Sequence, residues 1–491
     1  MKRHHITRVL LAAAPVLLPG CAAGPDYVRP QAYAPAAYKE LADWKPAQPR
    51  DHLPRGRWWS VFSDPLLDGL QEQVSVSNQS LAQARAAFRQ SLALMRAARS
   101  AYFPTTGASV ASTRSRASAT TGSGGSSSGK GIVDRHTAAL DVFWEADVWG
   151  RIGRSVEAGV ARAQASAADV EAARLSLQTL LALNYFQLRS LDAQKALLEN
   201  ALGEYDKANR FAENQYRAGV ASRADVVQAL TQYKTTEAQM LDVGVQRAQL
   251  EHAIAVLVGK APAQFAIERA PLAAVPPVLP PGLPSALLER RPDIAAAERR
   301  VTAANAQIGV ATAAYFPLLS LGAAGGVESA SASRWFTAPS RFWSIGPAIA
   351  LTLFDGGLRR AVTDQTVAAY DATVAGYRQA VLAAFQEVED SLAALRILER
   401  EAAVQDEAVR SARDAVTLTL NQYKAGTVNY LNVVTVQTTA LSNERTAVDI
   451  QARRLAAAVQ LVKALGGGWE ASALASYGEM SALAADPAGL R

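Results

Sequence analysis

The chain is poor in the residues that most chemistry needs. Cys21 is the single cysteine in 491 residues, so disulfides contribute nothing. There are five histidines; His4 and His5 fall in the first twenty residues, and His52, His136 and His252 are isolated. No HExxH, cysteine pair or Asp-x-Asp cluster suggests a metal, and no Cys/His set suggests a hydrolase. Aromatics are 7% and charged residues 19%, and the net charge of +6 is mild. No concentrated basic patch is present, which argues against a nucleic-acid binder.

Alanine is abundant instead, as expected for long helices in close contact. A phrase also occurs twice. Gln215-Tyr216-Arg217-Ala218-Gly219-Val220 returns as Gln422-Tyr423-Lys424-Ala425-Gly426-Thr427, an offset of 207, each copy between long glycine-poor segments. A glycine closing one helical pattern just before another begins marks a helical hairpin. Gly150 and Gly357, and Gly259 and Gly466, keep the same offset, while Tyr102-Phe103-Pro104 recurs as Tyr315-Phe316-Pro317 at 213. The expectation is two internal repeats of roughly 210 residues in one pseudo-symmetric body rather than three domains.

Met1 to Gly20 has basic residues (Lys2, Arg3, Arg8) before an apolar run, Val9 to Leu18, too short for a permanent span. It reads as a cleaved export signal, whose removal leaves 47 basic against 44 acidic residues. Leu18-Pro19-Gly20-Cys21 resembles a bacterial lipobox, with Pro19 in place of the usual small residue, so Cys21 is the candidate lipidation site. Ala22 rather than aspartate follows, which by that resemblance favours outer-membrane sorting. Residues 21–65 read as an extended, lipid-anchored arm, punctuated by proline.

Two pairs of segments read as strands. Gly107 to Thr120 alternates small and β-branched residues; in His136 to Val148, Leu140, Val142 and Trp144 share one face and Asp141, Phe143 and Glu145 the other. Leu318 to Val327 and Trp343 to Phe354 form the second pair. Each has about the length of a tilted strand that crosses a bilayer. The Ser/Gly-rich stretch Thr121 to Gly131 and Glu328 to Arg341 read as exposed loops. Gly124-x-x-x-x-Gly129-Lys130 imitates a P-loop, but Gly131 stands where Ser or Thr is needed, no apolar strand leads in, and no helix follows. Four strands with open edges cannot sit alone in hydrocarbon, so a barrel must close by oligomerisation; three chains would give twelve strands and a lumen.

After each pair comes the longest helical segment. Arg151 to Arg217 would span about 100 Å. Leu177, Leu181, Leu188, Leu191, Leu198, Leu202 and Tyr205 step by fours and threes, and Val381, Phe385, Val388, Leu392 and Leu395 do likewise. That period means coiled-coil packing. The return helices, about 222–258 and 428–465, are shorter, and the helices before the strands are expected to complete their length end to end. Residues 66–261 and 293–466 are thus the two repeats, 262–292 a proline-rich equatorial linker, and 467–491 a loose tail.

Gly24-Pro25-Asp26-Tyr27-x-Arg29-Pro30, Trp58-Trp59 with Asp64-Pro65-x-Leu67, and Arg290-Arg291-Pro292-Asp293-Ile294 together resemble the outer-membrane factor lipoproteins of tripartite efflux systems, the TolC-like channels. The resemblance covers nearly the whole mature chain. It implies a mainly α chain with a small β part, assembled as a homotrimer with a 12-stranded outer-membrane barrel continued by a helical coiled-coil conduit. The implied partners are a periplasmic adaptor and an inner-membrane transporter of the RND type, and no nucleic acid. No cofactor is implied beyond the lipid on Cys21. Adaptor docking carries over to Ala218, Gly219, Val220, Ala425, Gly426 and Thr427. Family members narrow the periplasmic end just past the second tip, where this chain has Asn432 and Thr435; Asp225 holds the first-copy position, with Arg223 beside it. Asp225 is read either as a gate charge or as an acid stabilised by a helix dipole. A type I protein-secretion outlet, a heavy-metal efflux channel and a lipid-anchored coiled-coil scaffold stand as alternatives; only four methionines argue against a methionine-lined metal path.

Overall fold

A computed structural model describes residues 22–32, 35, 37–41, 57–116, 118, 132–277, 287–476, 478–480 and 482. The export signal, Cys21, the loop 121–131 with its P-loop imitation, and the linker residues 278–286 lie outside them.

Seven helices and four strands carry the described chain, apart from short turns and a four-residue helix. They are α1 (Pro65–Ser77), α2 (Gln79–Ser100), β1 (Thr105–Arg116), β2 (Ile132–Glu145), α3 (Arg151–Arg217), α4 (Arg223–Leu257), α5 (Pro292–Ala313), β3 (Leu318–Ser329), β4 (Arg341–Ala350), α6 (Leu358–Lys424) and α7 (Tyr430–Ala464). Helices α3 and α6 are each 67 residues long, α4 and α7 each 35. The strand boundaries are shifted from those expected: β1 ends by Arg116, and β2 begins four residues before His136. Both changes come from pairing, since Arg116 finds its partner in Ile132.

Adjacent to the sheet, α2, α3, α5 and α6 lie side by side in that order; at the far end the order is α4, α3, α7, α6. Two shorter helices therefore complete each layer beside one long one. The joints rest on two glycines. Asn78 Nδ2 donates to the Leu257 carbonyl and Ser77 Oγ to that of Val258, so α2 starts where α4 stops. A Cβ on Gly259 would collide with the Ser77 carbonyl, and its φ of +72° suits glycine. At the equivalent joint Arg291 Nη1 donates to Ala464 O, and Gly466 (φ +90°) lies against the Arg290 carbonyl. The helix preceding the strands is not one piece from Leu66: Asn78 is extended (ψ 125°), closing α1 while its side chain caps α2 by accepting from Leu81 N.

The largest core lies at this equator. Trp58, Trp59 and Phe62, in a short turn, pack with Leu67, Tyr185, Phe186, Tyr377, Val381 and Leu461. Asp64 caps α1 at Leu66 and Leu67, with Pro65 in the first position, and accepts from the Tyr185 hydroxyl at 2.6 Å. Burial first, then that carboxylate, pushes the Tyr185 phenol up to about 12. The stripe read from the sequence is the buried seam: Leu181, Leu188, Leu191, Leu198 and Tyr205 are all buried.

Extended segments strap the helices. Residues 265–277 are held by a buried ionic network: Arg189 to the Glu268 carbonyl, Arg247 to the Ile267 carbonyl and to Asp192, and Glu251 accepting from Ile267 N. At the position 207 later, Arg396 reaches Glu40 of the N-terminal arm. The segment after α7 is not loose over its described length. Trp469 and Leu474 pack on Ala168, Ala295 and Ala296, and Met480 is 1% exposed among Leu92, Met95, Ile152 and Val156. Isolated apolar residues in a polar tail gave no periodic signal for this docking.

Candidate functional site

The four strands form one antiparallel sheet in the order β1-β2-β3-β4. Opposed residues share a face, so the register sorts every side chain. Val142 opposes Thr106 and Ala323, and Ala323 opposes Ile345; this face carries Val110, Leu140, Trp144, Leu321, Trp343 and Ile349. Val110, Leu140 and Trp343 are 75%, 66% and 80% exposed. Asp141 opposes Gly107 and Ala324, and Ala324 opposes Ser344; this other face carries Ser109, Thr113, Thr137, Ser320 and a series of glycines and alanines. An exposed apolar face backed by a polar, small-residue face is what a wall between lipid and a water-filled lumen requires. No helix of the described residues is long and apolar enough to cross a membrane.

Below the sheet the repeated Tyr-Phe-Pro turns make an aromatic ring of contacts. Trp144 Nε1 donates to the Tyr102 carbonyl, Trp149 Nε1 to that of Pro317, and the Trp149 and Phe316 rings stack 4.8 Å apart. Aromatics with one polar atom satisfied and a ring left exposed suit a membrane–water interface. The arm starts at this level: Ala23 N donates to Trp149 O, and Ala22, the residue after Cys21, lies against Gly150. Gly24 (φ +88°) touches the Gly309 backbone, Arg154 pairs with Asp26 at 2.8 Å, and the Tyr27 hydroxyl donates to Glu298. Burial, and the Glu298 carboxylate beside it, raises the Tyr27 phenol further still above its ordinary value. The Gly-Pro-Asp-Tyr motif is thus a docking strip against α3 and α5.

At the opposite end lie the two hairpin tips. Val220 N donates to Gln215 O and Gly219 N to Tyr216 O; Thr427 N and Gly426 N repeat this with Gln422 O and Tyr423 O. Gly219 and Gly426 have φ of +73° and +74°, and nothing lies within 4 Å of a Cβ added to either. Both are left-handed helix ends of the Schellman kind, projecting into open space with Val220, Ala218, Ala425 and Thr427 exposed. Ser222 and Asp225 form a reciprocal capping box, the Asp225 carboxylate accepting from Ser222 N and Oγ. Asn429 caps the next helix at Asn432 N, and Thr435 Oγ1 returns to Leu431 O. Arg223 and Asn432 are exposed in the first turns. The hydrogen bonds of Asp225 are those of a helix cap.

Sequence reasoning missed what packs the tips together. Tyr430 and Val433 are buried with Ala212 and Ala229, joining both hairpins of one chain. Tyr423 lies between Phe211, which it meets edge to face, and the tilted ring of Tyr430, and the Tyr423 and Tyr430 hydroxyls are buried without a partner among the described residues. Burial, and then the charge of Asp225, raises the Tyr423 phenol; burial pushes that of Tyr430 up to about 12. The repeat of Tyr216 and Tyr423 was visible in the sequence, but not that only the second copy turns inward.

The sequence pattern of the outer membrane efflux protein family matches residues 70–260 and 283–467. The chain is 33% identical over 483 residues to a toluene efflux pump outer membrane protein, TtgF, of Pseudomonas putida, covering 96% of this chain and 98% of that protein. It is 32% identical over 457 residues to outer membrane protein OprJ of Pseudomonas aeruginosa, covering 92% and 94%. Among solved structures it is similar to the outer-membrane channel OprN (TM-score 0.84, 30% identity, 91% of this chain and 100% of that one). It also resembles the open state of the Neisseria gonorrhoeae MtrE outer membrane channel (TM-score 0.78, 28% identity, 92% and 99%). With a two-faced sheet, a helical conduit and this match along both halves, the chain belongs to the outer membrane efflux protein family and is an outer-membrane component of an efflux pump.

Proposed function

We propose that the chain acts as a homotrimer, a passive outer-membrane channel that takes small toxic organic molecules from an inner-membrane transporter of the RND type through a periplasmic adaptor. The observation that carries this reading is the pair of unfinished edges. Strands β1 and β4 each have a partner on one side only, and β1 lies on the side of α2 and α4, β4 on that of α6. Both edge helices carry a second apolar seam: Val227, Leu230, Leu241 and Val245 on α4, and Ile397, Val404 and Leu418 on α6, all exposed. Val227, Leu241 and Val245 each stand two residues from Ala229 or Val243 of the seam that α4 buries in its own chain. Two residues are about 200° of turn, so the exposed seam points away from it. A second copy satisfies strand and helix edges at once, and three close a twelve-stranded ring around a lumen.

The adaptor reading rests on the two tips, whose glycines project freely. The lipid anchor at Cys21 fits an arm that begins beside the interfacial aromatics. At the gate, Asp225 caps α4 and its charge reaches Tyr423, with Arg223, Asn432 and Thr435 around the same end. The relative named for toluene efflux favours organic cargo over protein or metal. Native mass spectrometry and planar-bilayer recording test the reading: a trimer that conducts ions is expected, and a non-conducting monomer would sink it. For the tips, the Gly219→Trp and Gly426→Trp pair should abolish adaptor cross-linking in a trimer that still folds; undiminished cross-linking would move docking elsewhere.

A further inference from the structure

The polar face of the sheet holds one charge that nothing among the described residues balances. Within the strands this face carries Arg135, Asp141, Glu145 and Glu328 as its charged residues. Arg135 lies 3.6 Å from Glu328 at one end, and Glu145 pairs with Arg151 at 2.6 Å at the other. Asp141, between them, has no ion pair or hydrogen bond among the described residues. The neighbouring strands leave it room: Gly107 opposes it on β1, where an added Cβ would stand 2.6 Å from its Oδ2, and Ala324 opposes it on β3. A second copy would bring no counter-charge, because the polar faces of the two edge strands consist of Thr, Ser, Ala and Gly on β1 and of Phe342, Ser344, Gly346 and Ala348 on β4.

We infer that Asp141 is a specificity-determining residue of the conduction path: three copies form an acidic ring in the half of the membrane barrel nearer the helices that favours cations and cationic organic solutes over anions. The inference rests on the trimeric-channel reading. Rings of carboxylates select cations because each adds an attractive potential in a lumen whose low-dielectric wall confines the field. The paired charges of the strands, Arg135 with Glu328 and Glu145 with Arg151, contribute less net field than the unpaired Asp141. The ring lies among small side chains, with Gly107, Ala324 and Ser344 at its level, and Phe143 and Phe342 one step to either side on β2 and β4.

Reversal potentials of the purified trimer in a KCl gradient around 0.1 M test this. Asp141→Asn should lower the cation-over-anion permeability ratio roughly threefold, and Asp141→Lys should take it below the Asn value, as expected for a few charges seen through one Debye length. Gly107→Lys, which sets a counter-charge opposite the intact carboxylate, should reproduce the Asn result. A local readout comes from Asp141→Cys, the one free thiol once Cys21 carries its lipid: a sulfonate-bearing thiol reagent should restore cation preference and an ammonium-bearing reagent should reverse it. Heat-resistant trimer on gels reports that each variant folds. Currents whose reversal potential ignores all of these changes would overturn the inference while leaving the channel standing. No current from the unmodified trimer would overturn the channel reading and this inference with it.

Discussion

Two arginines do much of the fixing at the residue scale. Arg154, buried, reaches Asp26, Glu157 and the Ala23 carbonyl from α3, and Gly309 on α5 makes the space for it. A Cβ at Gly309 would stand 2.7 Å from Arg154 Cγ and 2.8 Å from Ala23 O. Gly309→Val should therefore expel the arm, costing about 1–3 kcal/mol and exposing the segment after Cys21 to protease while the helices stay protected. Arg291 binds Asp293 through two bonds and Glu387 at 2.7 Å, and donates to Ala464 O. Burial alone would raise the Asp293 carboxyl, but the Arg291 hydrogen bonds and charge hold it below its ordinary value. A depressed carboxylate stabilises the fold fully above its unfolded pKa, near 3.9, and loses that contribution as pH falls through the folded value. Arg291→Gln should accordingly lower Tm at pH 7, by the loss of charged hydrogen bonds worth about 2 kcal/mol, and the gap from the parent should narrow below pH 4. A gap that is constant from pH 7 to 3 would refute the pairing.

Elements were legible in proportion to their periodicity. Both 67-residue helices have the expected ends, because a glycine at each start and tip punctuates a long 3.5-residue pattern. Strand ends moved by several residues, since pairing rather than composition decides where a strand begins. The helical pattern from Asn78 to Ser100 was legible, but the sharp break between it and the helix before was not, because helical residues run up to Asn78 on one side and on from it on the other. Asn78→Ala removes the cap of α2 and the bond to Leu257 O together, so a loss of about 1–2 kcal/mol is expected in a thermal melt. At the tips, Gly219→Asn should be better tolerated than Gly219→Val by roughly 1 kcal/mol, because asparagine visits the left-handed region and a β-branched residue does not.

For the whole molecule, the exposed seams on α4 and α6 predict an assembly defect without a folding defect. Val404→Glu with Leu418→Glu should leave far-UV circular dichroism per chain unchanged and shift native mass spectra from trimer toward monomer. Loss of helicity would instead mean that these residues stabilise the single chain. The sequence alone determined the two helical hairpins, the four membrane-length strands and the tip glycines, because each is written in local periodicity or in a backbone conformation that few residues accept. Tertiary structure decided where the end-to-end helices join, which Tyr of the repeat is buried, where the C-terminal segment docks, and that Asp141 stands without a partner among the described residues. Those depend on contacts between residues far apart in the chain, and no local pattern encodes which distant neighbour supplies, or fails to supply, the opposing charge.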